Sequence, residues 1–481
     1  MNKRMTSYIL GKMLGVEALV LFIPALVSVL YGEDGWKYFL ITSAILGILY
    51  LAFGRKKPKD STIYGKDGFF IIASAWVFWS LFGALPFWLS GEIPSYVDAF
   101  FETVSGFTTT GSTILTDASN LSMGMNFWRC FTHWIGGMGV LVFVMVIVSL
   151  EDKNSMHLMR AEVPGPETDK LVPKARDTAK ILYAMYFVLT ITEVIFLFAG
   201  GMSLYDSLIH SFSTAGTGGF NNRATSVAYY DSAYIDGVIT VFMILFGINF
   251  NMYYLILLKK VKAVFKNEEL RAYLGVILGA TVLITINILK MYSSVWEAFR
   301  YAVFQVSAII TTTGFVTANF DLWPTFSKCI LLLLMVVGAC AGSTGGGMKV
   351  SRILIVLKSI RRQMKSLLRP KSVNIVKVNN KKVGEDTMQA VYVYFMAYVV
   401  IFIASVLLIS LNNFDFTTTF TGVLTTLNNV GPGLAGVGPI ENFSKFSDLS
   451  KVVFCLDMLV GRLEIFPFLM LFSPELWRKK F

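Results

Sequence analysis

The sequence predicts an all-α polytopic membrane protein. Four pseudo-repeats of helix, re-entrant half-helix, filter loop and helix surround a central pore, after an N-terminal helix hairpin. Three observations lead there. The chain has 481 residues, 55% of them hydrophobic and only 15% charged. A water-facing surface needs more charge, since soluble proteins carry about 25%. Apolar runs of about 20 residues recur, the length that crosses roughly 30 Å of hydrocarbon as a helix. Finally, a short Gly/Thr/Asn segment occurs four times between such runs, at Thr108-Thr109-Thr110-Gly111-Ser112, Ala215-Gly216-Thr217-Gly218-Gly219-Phe220, Thr311-Thr312-Thr313-Gly314-Phe315 and Asn428-Asn429-Val430-Gly431-Pro432. Its spacing of roughly a hundred residues marks an internal repeat.

The elements follow in order. Residues 8–31 and 36–53 are apolar and joined by Gly32-Glu33-Asp34-Gly35, so residues 1–54 read as an antiparallel hairpin. Lys3 and Arg4 precede its first run, which lacks a small-residue cleavage signal and reads as a span rather than a signal peptide. Repeat 1 (55–150) has spans at 68–90 and 126–150 around a short apolar stretch at 95–107. Repeat 2 (151–258) has spans at 179–200 and 233–258 around 203–214. Repeat 3 (259–365) has spans at 271–290 and 326–357 around 294–310, and repeat 4 (366–481) has spans at 388–411 and 449–472 around 414–427. The short stretches are too brief to cross and read as re-entrant half-helices. Each ends at a glycine-bearing segment, and irregular backbone at membrane depth must line a wet cavity or lie inside protein.

The net charge of +11 reads as cytoplasmic loop charge rather than nucleic-acid binding. The bases cluster between spans: Arg55 to Lys59, Lys153 to Arg176, Lys259 to Lys266, Lys358 to Lys382 and Arg478 to Lys480. The positive-inside rule then puts both termini in the cytoplasm, with the filter segments toward the outer side. Cys130, Cys329, Cys340 and Cys455 lie in apolar stretches without metal-ligand spacing and read as small core residues.

The chemistry lies in the four segments. A cation crossing hydrocarbon must exchange water for other oxygens, and backbone carbonyls supply them without titratable charge. Glycine permits the backbone angles that turn a carbonyl inward. The expected filter residues are Thr109, Thr110 and Gly111, then Gly218 and Gly219, then Thr312, Thr313 and Gly314, then Asn429, Val430 and Gly431. Hydroxyls of Thr110 and Thr313 could add ligands. Each half-helix points its C-terminal partial negative charge at the ion. No Asp or Glu lies within the segments, which favours a monovalent cation over a hard divalent one.

Two further stretches stand out. Gly338-Ala339-Cys340-Ala341-Gly342-Ser343-Thr344-Gly345-Gly346-Gly347-Met348-Lys349 interrupts an apolar run. Glycine costs about 1 kcal/mol per residue inside a helix, so this run breaks it. It lacks the phosphate-loop order and reads as a gating loop beneath the filter, the alternative being a helix-packing face. In Gly461-Arg462-Leu463-Glu464, Arg462 is expected to face the cavity below the filter, the alternative being local pairing with Glu464 at the inner end. His133 and Glu193 read as structural polar groups.

Together these motifs resemble the Trk/Ktr/HKT superfamily of potassium transporters over nearly the whole chain, and the N-terminal hairpin resembles its TrkH-like branch. The carriers are TTTGS at 108–112, STAGTGGFNN at 213–222, TTTGF at 311–315, NNVGPG at 428–433, GACAGSTGGGMK at 338–349 and GRLEIFP at 461–467. The resemblance implies potassium (K+) uptake in a bacterial inner membrane, by a homodimer whose protomers each carry a pore. It implies potassium held at Thr110, Gly111, Gly219, Thr313, Gly314, Val430 and Gly431. It implies gating through Gly342, Ser343, Thr344, Gly345, Gly346, Gly347, Lys349 and Arg462, under a cytoplasmic TrkA-like ring that binds the regulatory nucleotide. This chain itself is expected to bind no cofactor and no nucleic acid. One departure is Gly216, where relatives carry a larger residue. A secondary transporter with broken helices at a midplane site is the competing class, and the common orientation of the repeats argues against it. An intramembrane enzyme would need a nucleophile–base or metal set, which the sequence does not offer.

The loop charges make a direct prediction. Cysteines introduced at Lys174 and Lys371 should resist a membrane-impermeant thiol reagent applied outside intact cells. Labelling of either would reverse the assigned orientation.

Overall fold

The computed structural model describes residues 2–60, 62–63, 65–139, 175–370, 372 and 374–474. The end of the span expected at 126–150, most of the basic loop 151–178, Lys371 and the basic run Arg478 to Lys480 lie outside the described residues.

Six helices among the described residues are long and apolar enough to cross a membrane: Lys3–Leu30, Trp36–Gly54, Asp67–Ser90, Ala179–Ala199, Glu268–Met291 and Glu385–Asn412. The first two form the N-terminal hairpin, closed where Gly11 and Gly54 let two backbones meet. A Cβ at Gly11 would lie 2.5 Å from the Gly54 nitrogen. The hairpin covers the third helix, which is 61% buried, whereas the last three are only 22–33% buried. Their exposed faces carry Phe187, Ile195, Leu278, Ile286, Val400 and Leu407. That apolar belt suits hydrocarbon.

The four later spans are each followed by a short helix: Tyr96–Phe107, Leu204–Gly216, Val295–Ile310 and Phe416–Leu427. Every one starts at a side-chain cap. Ser95 accepts from the Asp98 amide, Ser203 from Asp206, Ser294 from Glu297 and Asp415 from Thr418. Such a cap satisfies a donor that the first turn leaves open, and contributes about 1 kcal/mol. At Asp415 the hydroxyl and amide of Thr418 hold the carboxylate below its ordinary range. The inner ends of the short helices are sheathed by other helices. Thr103 to Phe107, Ser213 to Gly216, Val306 to Ile310 and Gly422 to Leu427 are all buried.

Among the described residues, the second helices of repeats 2 and 4 are broken where single spans were expected, and that of repeat 3 is broken where the glycine run predicts it. Met123–Gly137 ends at the edge of the described residues. The run at 233–258 is not one span but Ala233–Phe246 and Phe250–Leu257, bent by 89°. The run at 326–357 divides into Thr325–Val337 and Val350–Leu368. The run at 449–472 stops at Arg462, turns through Glu464 (φ 59) and Ile465 (φ 67), and resumes at Phe466–Leu469. Hydropathy does not register the breaks in repeats 2 and 4, because contacts between repeats stabilise them. The Cys340 amide donates to the Gly247 carbonyl (3.1 Å), and the Phe250 amide donates to the Gly342 carbonyl (3.0 Å). The bend in repeat 2 thus receives the broken stretch of repeat 3.

Cys130, Cys340 and Cys455 are buried, but Cys329 is exposed on Thr325–Val337, so the core reading fails for that residue. An apolar sequence context does not separate a core-facing from a lipid-facing position. Beyond Val350–Leu368 a two-stranded hairpin pairs Lys377–Val378 with Lys381–Lys382. Lys358 bonds both Glu268 and, at 2.7 Å, the Lys377 carbonyl. The basic stretches after repeats 2 and 3 therefore lie together.

Candidate functional site

The four short helices end alike. Thr109 (φ 56), Thr217 (φ 56), Thr312 (φ 60) and Asn429 (φ 54) turn left-handed, and two residues later so do Gly111 (φ 82), Gly219 (φ 76), Gly314 (φ 75) and Gly431 (φ 99). Between them, Thr110, Gly218, Thr313 and Val430 donate their amides to Ser105, Ser213, Ala308 and Thr425 at 2.9, 2.8, 2.8 and 2.9 Å. This helix-ending turn uses a late helical carbonyl and leaves the following carbonyls free of helical partners. Thr217 was not among the expected filter residues. Its signal was present, since it stands two residues before Gly219, as Thr109 and Thr312 stand before Gly111 and Gly314.

The turns meet in a closed ring. A Cβ on Gly431 would lie 2.8 Å from the carbonyl oxygen of Thr110. One on Gly111 would come closer still to the Gly218 carbonyl, one on Gly219 to that of Thr313, and one on Gly314 to that of Val430. The sequence of contacts runs from segment one to two, three, four and back to one. The carbonyls of Thr110, Gly218, Thr313 and Val430 therefore stand at one level around one axis.

The surroundings differ by quarter. The Thr110 hydroxyl bonds that of Thr108 at 2.8 Å and receives the Asn429 amide at 2.9 Å. The Thr313 hydroxyl bonds that of Thr311 at 2.8 Å. These two hydroxyls are thus already engaged, while that of Thr109 is buried with no hydrogen-bond partner among the described residues. At segment two, the imidazole of His133 occupies the space a side chain at Gly218 would need, with ring atoms 2.5 Å from a built Cβ. The ring packs 4.2 Å from Phe220, and its Nδ1 lies 2.7 Å from the Gly106 carbonyl.

Two cavities flank the ring and share no lining residue. One, of about 110 Å³, is lined by Gly111, Gly219, Gly314 and Gly431 together with Arg129, Arg223 and Glu441. The other, of about 70 Å³, is lined by Gly342, Ser343, Gly345, Gly346, Gly347, Lys349 and Arg462. The loop between Val337 and Val350 lies directly against the ring. The Gly346 amide donates to the Thr312 hydroxyl (2.6 Å), and the Gly347 amide to the Asn428 carbonyl (3.0 Å).

Backbone at this depth must find partners, and the loop finds them in several elements. Thr344 Oγ1 donates to the Phe246 carbonyl at 3.2 Å. Arg462 donates to the Thr344 carbonyl at 2.8 Å and to those of Gly136 and Gly137 at 2.5 and 2.7 Å. Lys349 donates its ammonium to the Gly345 carbonyl and, at 3.4 Å, to that of Gly346. Glu464 pairs with Arg352 rather than with Arg462. Glu193 is buried on the first helix of repeat 2.

Some polar residues at the site were missed in the sequence. Glu269 Oε1 accepts the amides of Ala341 (2.7 Å) and Ser351 (3.1 Å), at both ends of the loop. Glu102 and Arg129 form an ion pair of 2.5 Å with side chains 0% and 3% exposed. Both of that pair stand in apolar runs, which is the signal that marks intramembrane charges as functional.

This fold, with a four-part glycine ring between two cavities, defines a multi-pass cation transporter. The family model described as "TrkH: Cation transport protein" matches residues 37–479, and the chain belongs to the TrkH family. It is 36% identical to the Trk system potassium uptake protein TrkH of Salmonella typhimurium and 35% identical to that of Escherichia coli strain K12, each over the full length of both chains. The crystal structure of the potassium transporter TrkH from Vibrio parahaemolyticus superposes with a TM-score of 0.87 at 33% identity, covering 99% of this chain and 100% of that one.

The ring geometry sets a test. Gly314→Ser and Gly111→Ser place a Cβ against the next segment's carbonyl. Both should weaken discrimination among alkali cations in proteoliposome flux assays. Unchanged flux ratios for both variants would remove the filter assignment.

Proposed function

We propose that this chain mediates potassium-selective uptake across a bacterial inner membrane through a gated, channel-like pore. The observation that carries this reading is the cyclic contact of each glycine with the next segment's carbonyl. Such a ring offers a dehydrated cation several backbone oxygens at one level. Thr109, Thr110, Gly111, Gly218, Gly219, Thr312, Thr313, Gly314, Asn429, Val430 and Gly431 form the filter in this reading, with Thr217 as the fourth left-handed residue. With no carboxylate in the segments, the ring suits a monovalent ion. The names of the relatives at 35–36% identity point to the same ion.

Residues 342–347 with Lys349 and Arg462 act as the gate. The loop closes the inner side of the ring through Thr312 and Asn428, and Arg462 holds it to the first repeat through Gly136 and Gly137. A partner needs only to bind the displaced loop better than the closed one. The basic helix Val350–Leu368 continues directly from the loop and is the lever we assign to a cytoplasmic, nucleotide-binding TrkA-like ring. Both termini lie in the cytoplasm, with the clustered bases of 259–266 and 358–382, and the working unit is a homodimer.

Potassium, rubidium and sodium flux into liposomes holding the transporter alone tests this reading. Deleting residues 343–347, or Arg462→Ala, should raise potassium flux several-fold without the partner. If both variants insert and fold yet conduct no more than the parent, the loop is only a packing feature.

A further inference from the structure

The outer side of the ring is fastened at each junction between neighbouring segments. Segments two and three meet through the Ala228 amide on the Val316 carbonyl (3.1 Å) and the Val316 amide on Ser226 Oγ (3.2 Å). Three and four meet through the Ala435 amide on Asp321 (3.2 Å), and four and one through the Phe443 amide on the Thr113 carbonyl (2.8 Å). The junction of one and two is built around a buried ion pair.

Glu102 stands nine residues before Gly111, where the other repeats have His210, Gln305 and Gly422. Its carboxylate grips the chain just beyond Gly111. Oε1 accepts the Thr113 hydroxyl (2.8 Å) and Oε2 the Ile114 amide (3.0 Å). Arg129 gives Nε to the same carboxylate (2.5 Å) and Nη1 to the Asn221 carbonyl (2.9 Å), two residues beyond Gly219. The guanidinium also lies 3.6 Å from the centre of the Phe220 ring, which packs on His133 behind Gly218.

We propose that Glu102 and Arg129 are a positioning pair that holds the first two ring segments in register and so sets ion discrimination. The proposal rests on reading the ring as the ion filter. Neither residue touches the ion. They act through Thr113, Ile114, Phe220 and Asn221. The planar fork of arginine serves the carboxylate and the carbonyl from two nitrogens, which the single nitrogen of lysine cannot reproduce.

The test uses the full-length protein in liposomes, with potassium and sodium flux measured for Arg129→Lys and Glu102→Gln. Arg129→Lys keeps the charge balance of the buried pair and removes only the fork, whereas Glu102→Gln keeps the shape and leaves the guanidinium without its counter-charge. Each should lower the potassium-to-sodium flux ratio by about tenfold, the worth of one hydrogen bond to a charged group, and raise the potassium concentration at half-saturation. Arg300→Lys is the control. Arg300 forks onto Asp236 (2.9 Å) and Asp231 (3.1 Å) between repeats three and two, so its loss should lower thermal stability without moving the ratio. The proposal is overturned if Arg129→Lys and Glu102→Gln keep the parental ratio and total flux falls only with the amount inserted. Gly314→Ser separates the two readings. A shifted ratio there with none at Arg129 leaves the filter standing and makes the pair mere scaffold.

Discussion

Each ring glycine lies so close to a carbonyl of the next segment that no side chain fits between them. This contact fixes the spacing of four chain segments that are otherwise far apart in sequence, and much of the surrounding structure serves it. The capped short helices deliver each segment at the same depth. The left-handed residue before each glycine turns the chain out of the helix. The second helices pack around the short ones and leave little slack for the segments to move apart. Because contact four returns to segment one, an error at any junction would be felt by all.

The second constraint is the need to satisfy irregular backbone buried among helices. The glycine-rich loop has no helical bonds of its own, so its amides and carbonyls are shared among the bent helix of repeat 2, the ring, Glu269, Lys349 and Arg462. These contacts come from several repeats at once. That explains why the helices at 233–258 and 449–472 are both interrupted. The breaks in repeats 2 and 4 accommodate the broken stretch of repeat 3, and a straight helix in either place would displace it.

Much of the architecture was legible in the sequence because hydrocarbon imposes length and composition directly. The hairpin, the outer helices and the short helices all follow from apolar run lengths. Gly111, Gly219, Gly314 and Gly431 could be picked out because left-handed turns without a Cβ leave few residue choices. The break in repeat 3 was legible in its glycine run, whereas those in repeats 2 and 4 were hidden, since their causes are contacts between residues about a hundred positions apart. The exposed side of Cys329 was hidden too, as lipid and protein interior look alike in composition. Glu102 and Arg129 were visible as charges in apolar runs, but pairing them needs the fold, which brings the short helix and its neighbour side by side. Thr217 went unpicked because the neighbouring Gly216, Gly218 and Gly219 offered competing alignments.

All four quarters of the ring are written in one chain, so they need not be equal. The middle residues are Thr110, Gly218, Thr313 and Val430, and the imidazole of His133 is pressed behind the second. In an assembly of identical subunits, one codon change alters every ligand of the ion at once. In the filter proposed here a single change would alter one ligand in four, with the remaining three left to hold the geometry. On that reading, selection can adjust the coordination shell in quarter steps, and the shell can be lopsided, with softer and stiffer walls facing each other across the same ion.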